Sequence, residues 1–450
     1  MLLIGELSLW VALLMAAWTT TVSWSGATLA RRDLVRSGER ALVASTAFAL
    51  LAVAGLVSAL FARDFSLSYV AMHSGLNLPK VYTLTALWSG RAGTWLSLTL
   101  LLGLLGCVQL LSRRLTSALA AEHPRAPWAT GVVGLIALCV LVLVGFTSNP
   151  FARLDFTPPD GRGMPPELQH AGAALLWPMQ ALAIAASVGA VAMLLEGVMT
   201  PQAMDAHRRW CWRSLRRWLA VAWSVFTLAL LLAMRNVYVE RGWGAEWSQG
   251  LIGGTALWPW LLASAALLVA RVATASTVGS APRRQRAGVT IALIGVLMIA
   301  GALGGRHYQT RTTASLGTGE SATATDVFGH AWTFMSQGMS RYEAANHSAL
   351  ALTVAVARPG AKRFLLSSTE RQYTDQDGEP TFEPAHDADV ASGLLQDVRV
   401  ELLAATGVDA AAVRVEINPL ASCLWIGGLL LLIGIVLATW PSPDRVEAHP

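Results

Sequence analysis

Tryptophan and histidine are the residues here whose type and spacing could do chemistry. Tryptophan is abundant, at 18 of 450 residues. Four of them, Trp243, Trp247, Trp258 and Trp260, fall in one short stretch with Gly242, Gly244, Gly250, Gly253 and Gly254. Indole faces offer flat stacking surface, and glycine lets a backbone approach a flat ligand closely. The cluster reads either as a platform for a planar apolar ligand or as part of an aromatic belt at lipid headgroup depth. The belt reading suffices for Trp10, Trp128, Trp218 and Trp440. Nine histidines are present, and neutral imidazole is a common metal ligand. His170 and His307 lie near the tryptophan stretch at the edges of apolar runs; the plainer reading is an interfacial histidine bonded to water or headgroups. The four cysteines, Cys107, Cys139, Cys211 and Cys423, form no CxxC, which argues against a disulfide framework, a zinc site or a thiol relay. No Walker loop, HExxH or GxSxG occurs, so those chemistries have no motif to rest on.

The elements that must position these residues are membrane helices. The chain is 54% hydrophobic and 14% charged, against about 25% charged for a soluble domain. A bilayer core takes about 20 apolar residues per helical span. Uncharged runs near that length cover residues 7–30, 41–62, 92–112, 127–152, 171–195, 218–234, 247–270, 287–305 and 419–441. The expected fold class is an all-α polytopic membrane protein of about nine transmembrane helices with a small external β-rich domain. The first run is longer than a signal peptide and reads as an anchor. Arginines cluster after alternate spans: Arg31, Arg32, Arg36 and Arg40; Arg113, Arg114 and Arg125; Arg208, Arg209, Arg213, Arg216 and Arg217; Arg271, Arg283, Arg284 and Arg286. The positive-inside rule then puts the N-terminus outside and the C-terminus inside. These loops account for the net charge of +5, so no nucleic-acid partner is expected.

The expected domains are a bundle of eight spans over residues 1–305, an external domain over 306–418, and a last helix with its tail over 419–450. The bundle carries the tryptophan loop at 236–260. The external segment turns polar and holds alternating stretches, LALTVAVA at 350–357, VRVEL at 398–402 and VRVEI at 413–417. Alternation with β-branched residues predicts half-buried strands. No internal repeat is evident.

Residues 237–262 read VYVERGWGAEWSQGLIGGTALWPWLL. This resembles the tryptophan-rich segment of the CcmF/NrfE family of cytochrome c heme lyase subunits. Tyr238, Glu240, Gly242, Trp243, Gly244, Trp247, Pro259, Trp260 and Leu261 match the family pattern. Residues 64–93 resemble a second family segment at Asp64, Phe65, Ser66, Tyr69, Val70, Ala71, Leu78, Pro79, Tyr82, Trp88, Gly90 and Gly93. Residues 146–154 with Asp160 and Gly161 resemble the next outside loop. Arg371 and Tyr373, then Gly393, Leu394, Leu395 and Asp397, then Asn418, Pro419, Leu420 and Trp425 follow in family order. The chain is identified as a shortened, divergent member.

The resemblance implies a protein of the bacterial inner membrane that handles heme. Tyr238, Glu240, Gly242, Trp243, Gly244, Trp247, Pro259 and Trp260 would form its heme platform. The partners it implies are other cytochrome c maturation subunits, a heme chaperone and apocytochrome c, alongside membrane lipid. The activity it implies is thioether formation at a CxxCH motif, with the thiol chemistry on a partner. The departures are specific. The family's histidine ligand positions fall on Leu176, on Leu268, and on Leu293 or Arg286. Heme iron in such a setting takes imidazole at one or both axial positions, so His170 and His307 are the candidate substitutes. No other metal is expected. A non-catalytic relative that kept the fold as a docking subunit of a maturation or respiratory complex is the alternative. A lyase split over two chains, with a second polypeptide supplying the missing spans and histidines, is a third.

Overall fold

The computed structural model describes residues 2–117, 125–200, 205–243, 260, 262–265, 283–344, 346–374, 380–407 and 409–439. The helices are α1 (Leu2–Thr28), α2 (Arg32–Ala62), α3 (Ser68–His73), α4 (Lys80–Thr85), α5 (Arg91–Ser117) and α6 (Pro127–Thr147). They continue as α7 (Ala171–Met199), α8 (Asp205–Arg241), α9 (Arg283–Gly305) and α10 (Ala421–Thr439). Among the described residues, eight helices are long and apolar enough to cross a membrane: all of these except α3 and α4. The run at 247–270 lies outside the described residues apart from 260 and 262–265. The chain is a multi-pass membrane protein with the expected β-rich part: among the described residues, nine strands build two antiparallel sheets.

The chain divides into two compact units, residues 1–226 with 374–382, and residues 227–373 with 383–450. In the first unit, Leu9, Ala52, Leu56, Leu96 and Leu141 pack together with no exposed surface. Outside the spans, the loops that carry the resemblance are stitched to each other. Ser68 N donates to Ala152 O at 2.9 Å and Leu154 N to Ser66 O at 2.9 Å. Asp160 Oδ1 accepts from Leu76 N at 2.8 Å. The Tyr69 hydroxyl donates toward the carbonyls of Ala86 at 3.0 Å and Leu87 at 2.8 Å. Burial pushes the phenol well above its ordinary range.

The second unit holds the sheets. One has the order β1 (Thr310–Gly317), β9 (Ala410–Pro419), β8 (Gln396–Ala405), β7 (Asp389–Ala391). The other has the order β2 (Ser321–Thr325), β3 (Ala331–Glu343), β4 (His347–Ala357), β5 (Phe364–Tyr373), β6 (Ala385–Asp387). Phe334, Leu352, Val354, Val400, Leu402 and Val413 fill the core between them. All but Phe334 are the apolar half of the alternation read in 350–357, 398–402 and 413–417.

Beneath the sheets, α9 and α10 approach until their backbones touch. A Cβ on Gly295 would lie 2.5 Å from Gly427 O, and one on Gly434 would lie 2.4 Å from Ala292 N. Small residues at membrane helix contacts permit this approach. α9 leads into β1 and β9 leads into α10, so both spans join the sheets at one end.

The first part of the tryptophan loop differs from expectation. α8 continues from Asp205 to Arg241, through residues 236–241 that composition assigned to a loop. No Gly or Pro interrupts that stretch, so nothing stops the helix before Gly242. There φ is +75°, and Gly242 N donates back to Tyr238 O at 2.9 Å. A left-handed glycine just past the last turn is a common helix stop.

Candidate functional site

The end of α8 is where three separate stretches of the resemblance meet. Tyr238, in the part of α8 that belongs to the second unit, is fully buried. Its hydroxyl donates to Asp397 Oδ2 at 3.2 Å and accepts from Asn418 Nδ2 at 3.1 Å. Asp397 also accepts from Ser422 Oγ at 2.8 Å and from Gly393 N at 3.1 Å. Burial pushes the Asp397 carboxyl above its usual range, against the lowering pull of the Ser422, Gly393 and Tyr238 donors. Two rings flank the phenol. Trp243 meets it edge-on at 5.3 Å between centroids, and Trp425 lies 5.9 Å away.

A second network fixes the helix end itself. Arg399, on β8, has 0% of its surface exposed. Its Nε donates to Val239 O at 3.2 Å and its Nη2 to Glu240 O at 2.8 Å. These are carbonyls of the last turn of α8, which have no partner inside the helix, and a cation there also meets the negative end of the helix dipole. Arg399 Nη1 pairs with Glu401 at 3.0 Å and Glu416 at 3.4 Å. Arg414 pairs with Glu401 at 3.1 Å and Arg311 with Glu416 at 2.9 Å. The two VRVE stretches run antiparallel with Arg399 opposite Glu416 and Glu401 opposite Arg414, so each arginine faces the other strand's glutamate. A Cβ on Gly242 would lie 2.4 Å from Glu416 Oε2. Glycine is therefore required there twice, for its φ and for its lack of bulk.

The predicted site residues separate. Tyr238, Gly242 and Trp243 belong to this cluster, and Glu240 joins it through its carbonyl. Trp243 is buried, with 1% exposed. Trp260 donates from Nε1 to Thr227 Oγ1 at 2.8 Å, eleven residues before Tyr238 and roughly 16 Å along the helix at 1.5 Å per residue. Gly244, Trp247 and Pro259 lie outside the described residues. His170, in the first unit, is the N-cap of α7, and its Nδ1 accepts from Ala173 N at 3.1 Å. In that arrangement its Nε2 carries the proton. His307, in the second unit, sits exposed in the short 3-10 turn Arg306–Tyr308 after α9.

Sequence reasoning did not find Asp397, Asn418, Ser422 or Arg399 as site residues. Asp397 and Asn418 enter only as matched positions, and Arg399 falls on the polar side of the alternation at 398–402. The available signal is the pair of VRVE stretches at 398–401 and 413–416, whose charges are complementary when the strands run antiparallel.

The cluster offers a phenol, a carboxylic acid, an amide and a hydroxyl, flanked by two indoles. A heme iron asks for imidazole. The cluster holds no imidazole, and Trp243, the indole a porphyrin would stack on, is 1% exposed.

No family model matches the chain. It is 32% identical over 270 residues to the cytochrome c-type biogenesis protein ccl1 of Rhodobacter capsulatus, covering 58% of this chain and 39% of that one. It is 30% identical over 264 residues to the cytochrome c-type biogenesis protein CcmF of Pseudomonas aeruginosa, again 58% and 39%. It is 30% identical over 255 residues to the probable cytochrome c-type biogenesis protein NrfE of Escherichia coli, covering 55% and 44%. The chain thus spans about two-fifths of the length of the curated relatives it matches. A solved structure of the cytochrome c heme lyase CcmF superposes with a TM-score of 0.65 over 98% of each chain, at 17% identity. That likeness shows a shared fold.

Proposed function

Since the chain belongs to the CcmF/NrfE family of cytochrome c-type biogenesis proteins, we propose that it works in cytochrome c maturation as a heme lyase-like subunit of the inner membrane. The observation that carries this reading is the convergence of Tyr238, Asp397, Asn418, Trp243 and Trp425. They come from three separated stretches of the family pattern and meet at one helix end. The arginine clusters after alternate spans support an N-terminus outside and a sheet domain outside.

In this role the chain receives heme from a heme chaperone and presents it beside an apocytochrome c CxxCH motif. Heme supplies the vinyl groups that reduced cysteine thiols add to. This chain's own contribution is to bind, position and shield. Tyr238 and Asn418 hold the support under Trp243, Arg399 fixes the last turn of α8, and Gly242 turns the chain into the tryptophan loop. The reducing thiols belong to partners, because no CxxC is present here.

A second reading is favoured by one observation: leucines stand at the family histidine positions 176 and 268, with leucine or arginine at the third. On that reading the protein docks other maturation subunits and holds no heme. The two part on an absorption spectrum of the protein purified in detergent after expression with heme supplied. A Soret band with a stoichiometric pyridine hemochrome supports heme handling. A folded, colourless protein that co-purifies with maturation subunits supports docking.

A further inference from the structure

The sheet domain has two ends that differ in chemistry. At the end where α9 and α10 attach, the register places the loops 326–330, 358–363 and 392–395 together. Hydrogen bonds pin that end to the spans. Leu420 N, just before α10, donates to Leu395 O at 2.7 Å. Gln396 Nε2 donates to Asp326 Oδ2 at 2.9 Å, joining the two sheets there. Thr310 Oγ1, five residues after α9 ends at Gly305, donates to Thr325 O at 3.1 Å. Asp326 organises the β2–β3 turn, accepting from Phe328 N at 2.9 Å, His330 N at 2.8 Å and Trp332 Nε1 at 3.0 Å.

The side chains these rigid turns present outward are apolar. Leu394 is 75% exposed, Leu395 63%, Phe328 54% and Val327 46%. Lys362 and Arg363, both exposed, sit on the neighbouring loop. That loop is held in place by Arg358 lying over the Trp332 ring at 5.2 Å. The opposite end carries Thr318, Gly319, Glu320, Thr406, Gly407 and Asp409 in its turns, none of them large and apolar.

We propose that the span-facing end of the sheet domain is a lipid-binding surface. It seats in the leaflet from which α9 and α10 emerge, with Val327, Phe328, Leu394 and Leu395 among the acyl-chain ends and Lys362 and Arg363 on phosphate headgroups. The occupant is set by position. Leu395 is hydrogen-bonded to the residue just before a membrane span, so its side chain lies at the depth where lipid begins. Four apolar side chains in water would be an unexplained patch; at that depth they bury acyl-chain contact, as interfacial apolar faces do. Cations beside them find anionic phosphates. The surface goes beyond the heme reading and does not depend on it. It would also fix the sheet domain, and with it Asp397 and Arg399, at a set height above the bilayer.

The test is photocrosslinking of the full chain in the membranes of the expressing cell. p-Benzoylphenylalanine is incorporated singly at Phe328, Leu394 or Thr406, and the irradiated protein is weighed intact by mass spectrometry. Phospholipid adducts at 328 and 394, and several-fold fewer at 406, are the expected result. With Lys362→Glu and Arg363→Glu added, the share of anionic phospholipid among the adducts falls several-fold. Adducts to another protein at 328 and 394 would make this end a protein interface and overturn the proposal. So would no lipid adduct at either position, or equal lipid adducts at 406.

Discussion

Replacing Arg399 with methionine removes one buried cation and leaves its partners in place. Val239 O and Glu240 O lose their donors, and Glu416 loses the pairing at 3.4 Å. Removing one partner of a buried ion pair costs about 3–5 kcal/mol, chiefly because the other charge stays buried alone. Here Arg311 still reaches Glu416 and Arg414 still reaches Glu401, so the lower end applies, about 3 kcal/mol. For a domain of this size, about 3 kcal/mol lowers Tm by on the order of 10–20 °C. The assay is a thermal scan of the full chain in detergent by near-ultraviolet circular dichroism. Arg399→Met, Glu416→Gln and the double variant together close a double-mutant cycle. The pair is expected to couple by about 0.5–3 kcal/mol, with the double variant less damaged than the sum of the singles. A methionine variant that melts with the wild type would refute the view that Arg399 locks the end of α8.

Three further outcomes are expected. Tyr238→Phe strips the hydroxyl between Asp397 and Asn418 in a fully buried setting, costing about 1–3 kcal/mol by the same scan. Gly295→Leu drives a side chain into Gly427 O and Leu431 N, forcing α9 and α10 apart at a cost of about 1–3 kcal/mol or more; lost cross-linking between cysteines placed on the two helices reads it out. Asp326 governs acid sensitivity. Burial pushes its carboxyl up, but the Trp332, Gln396 and His330 donors outweigh that and hold it well below the usual carboxylate range. The stability it contributes is present above the unfolded value of 3.8 and is lost as pH falls below it toward the folded value. A pH series of melting curves should show wild type losing stability below about pH 4, while Asp326→Asn, weaker at neutral pH, shows a flatter loss.

The membrane helices were legible because a span advertises itself by length and lack of charge. The strands at 350–357, 398–402 and 413–417 were legible because β-branched residues alternate there. What alternation hid was its polar half. Arg399, Glu401 and Glu416 look like a solvent face in one strand, and only the antiparallel pairing of two VRVE stretches turns them into a buried ladder. The helical reach of α8 to Arg241 was hidden because hydropathy falls after Met234, while helix formation continues until Gly242 stops it. Tyr238, Asp397 and Asn418 lie about 160 and 180 residues apart in sequence; their meeting is a product of tertiary packing that local pattern does not encode. His170 shows the reverse case. Its place beside the tryptophan stretch made it a candidate substitute ligand, and the capping of α7 that it also performs is a local role that pattern does not announce.

Whether the end of α8 carries a heme-handling surface is decided by optical titration of hemin into the purified protein. Wild type and Trp243→Ala are compared, each verified as folded by circular dichroism. Wild type is expected to give a saturable Soret band at one heme per chain, with quenched tryptophan fluorescence, and Trp243→Ala several-fold weaker binding. A wild-type protein that leaves hemin free, or a Trp243→Ala protein that binds it as tightly, would contradict a heme-handling surface there.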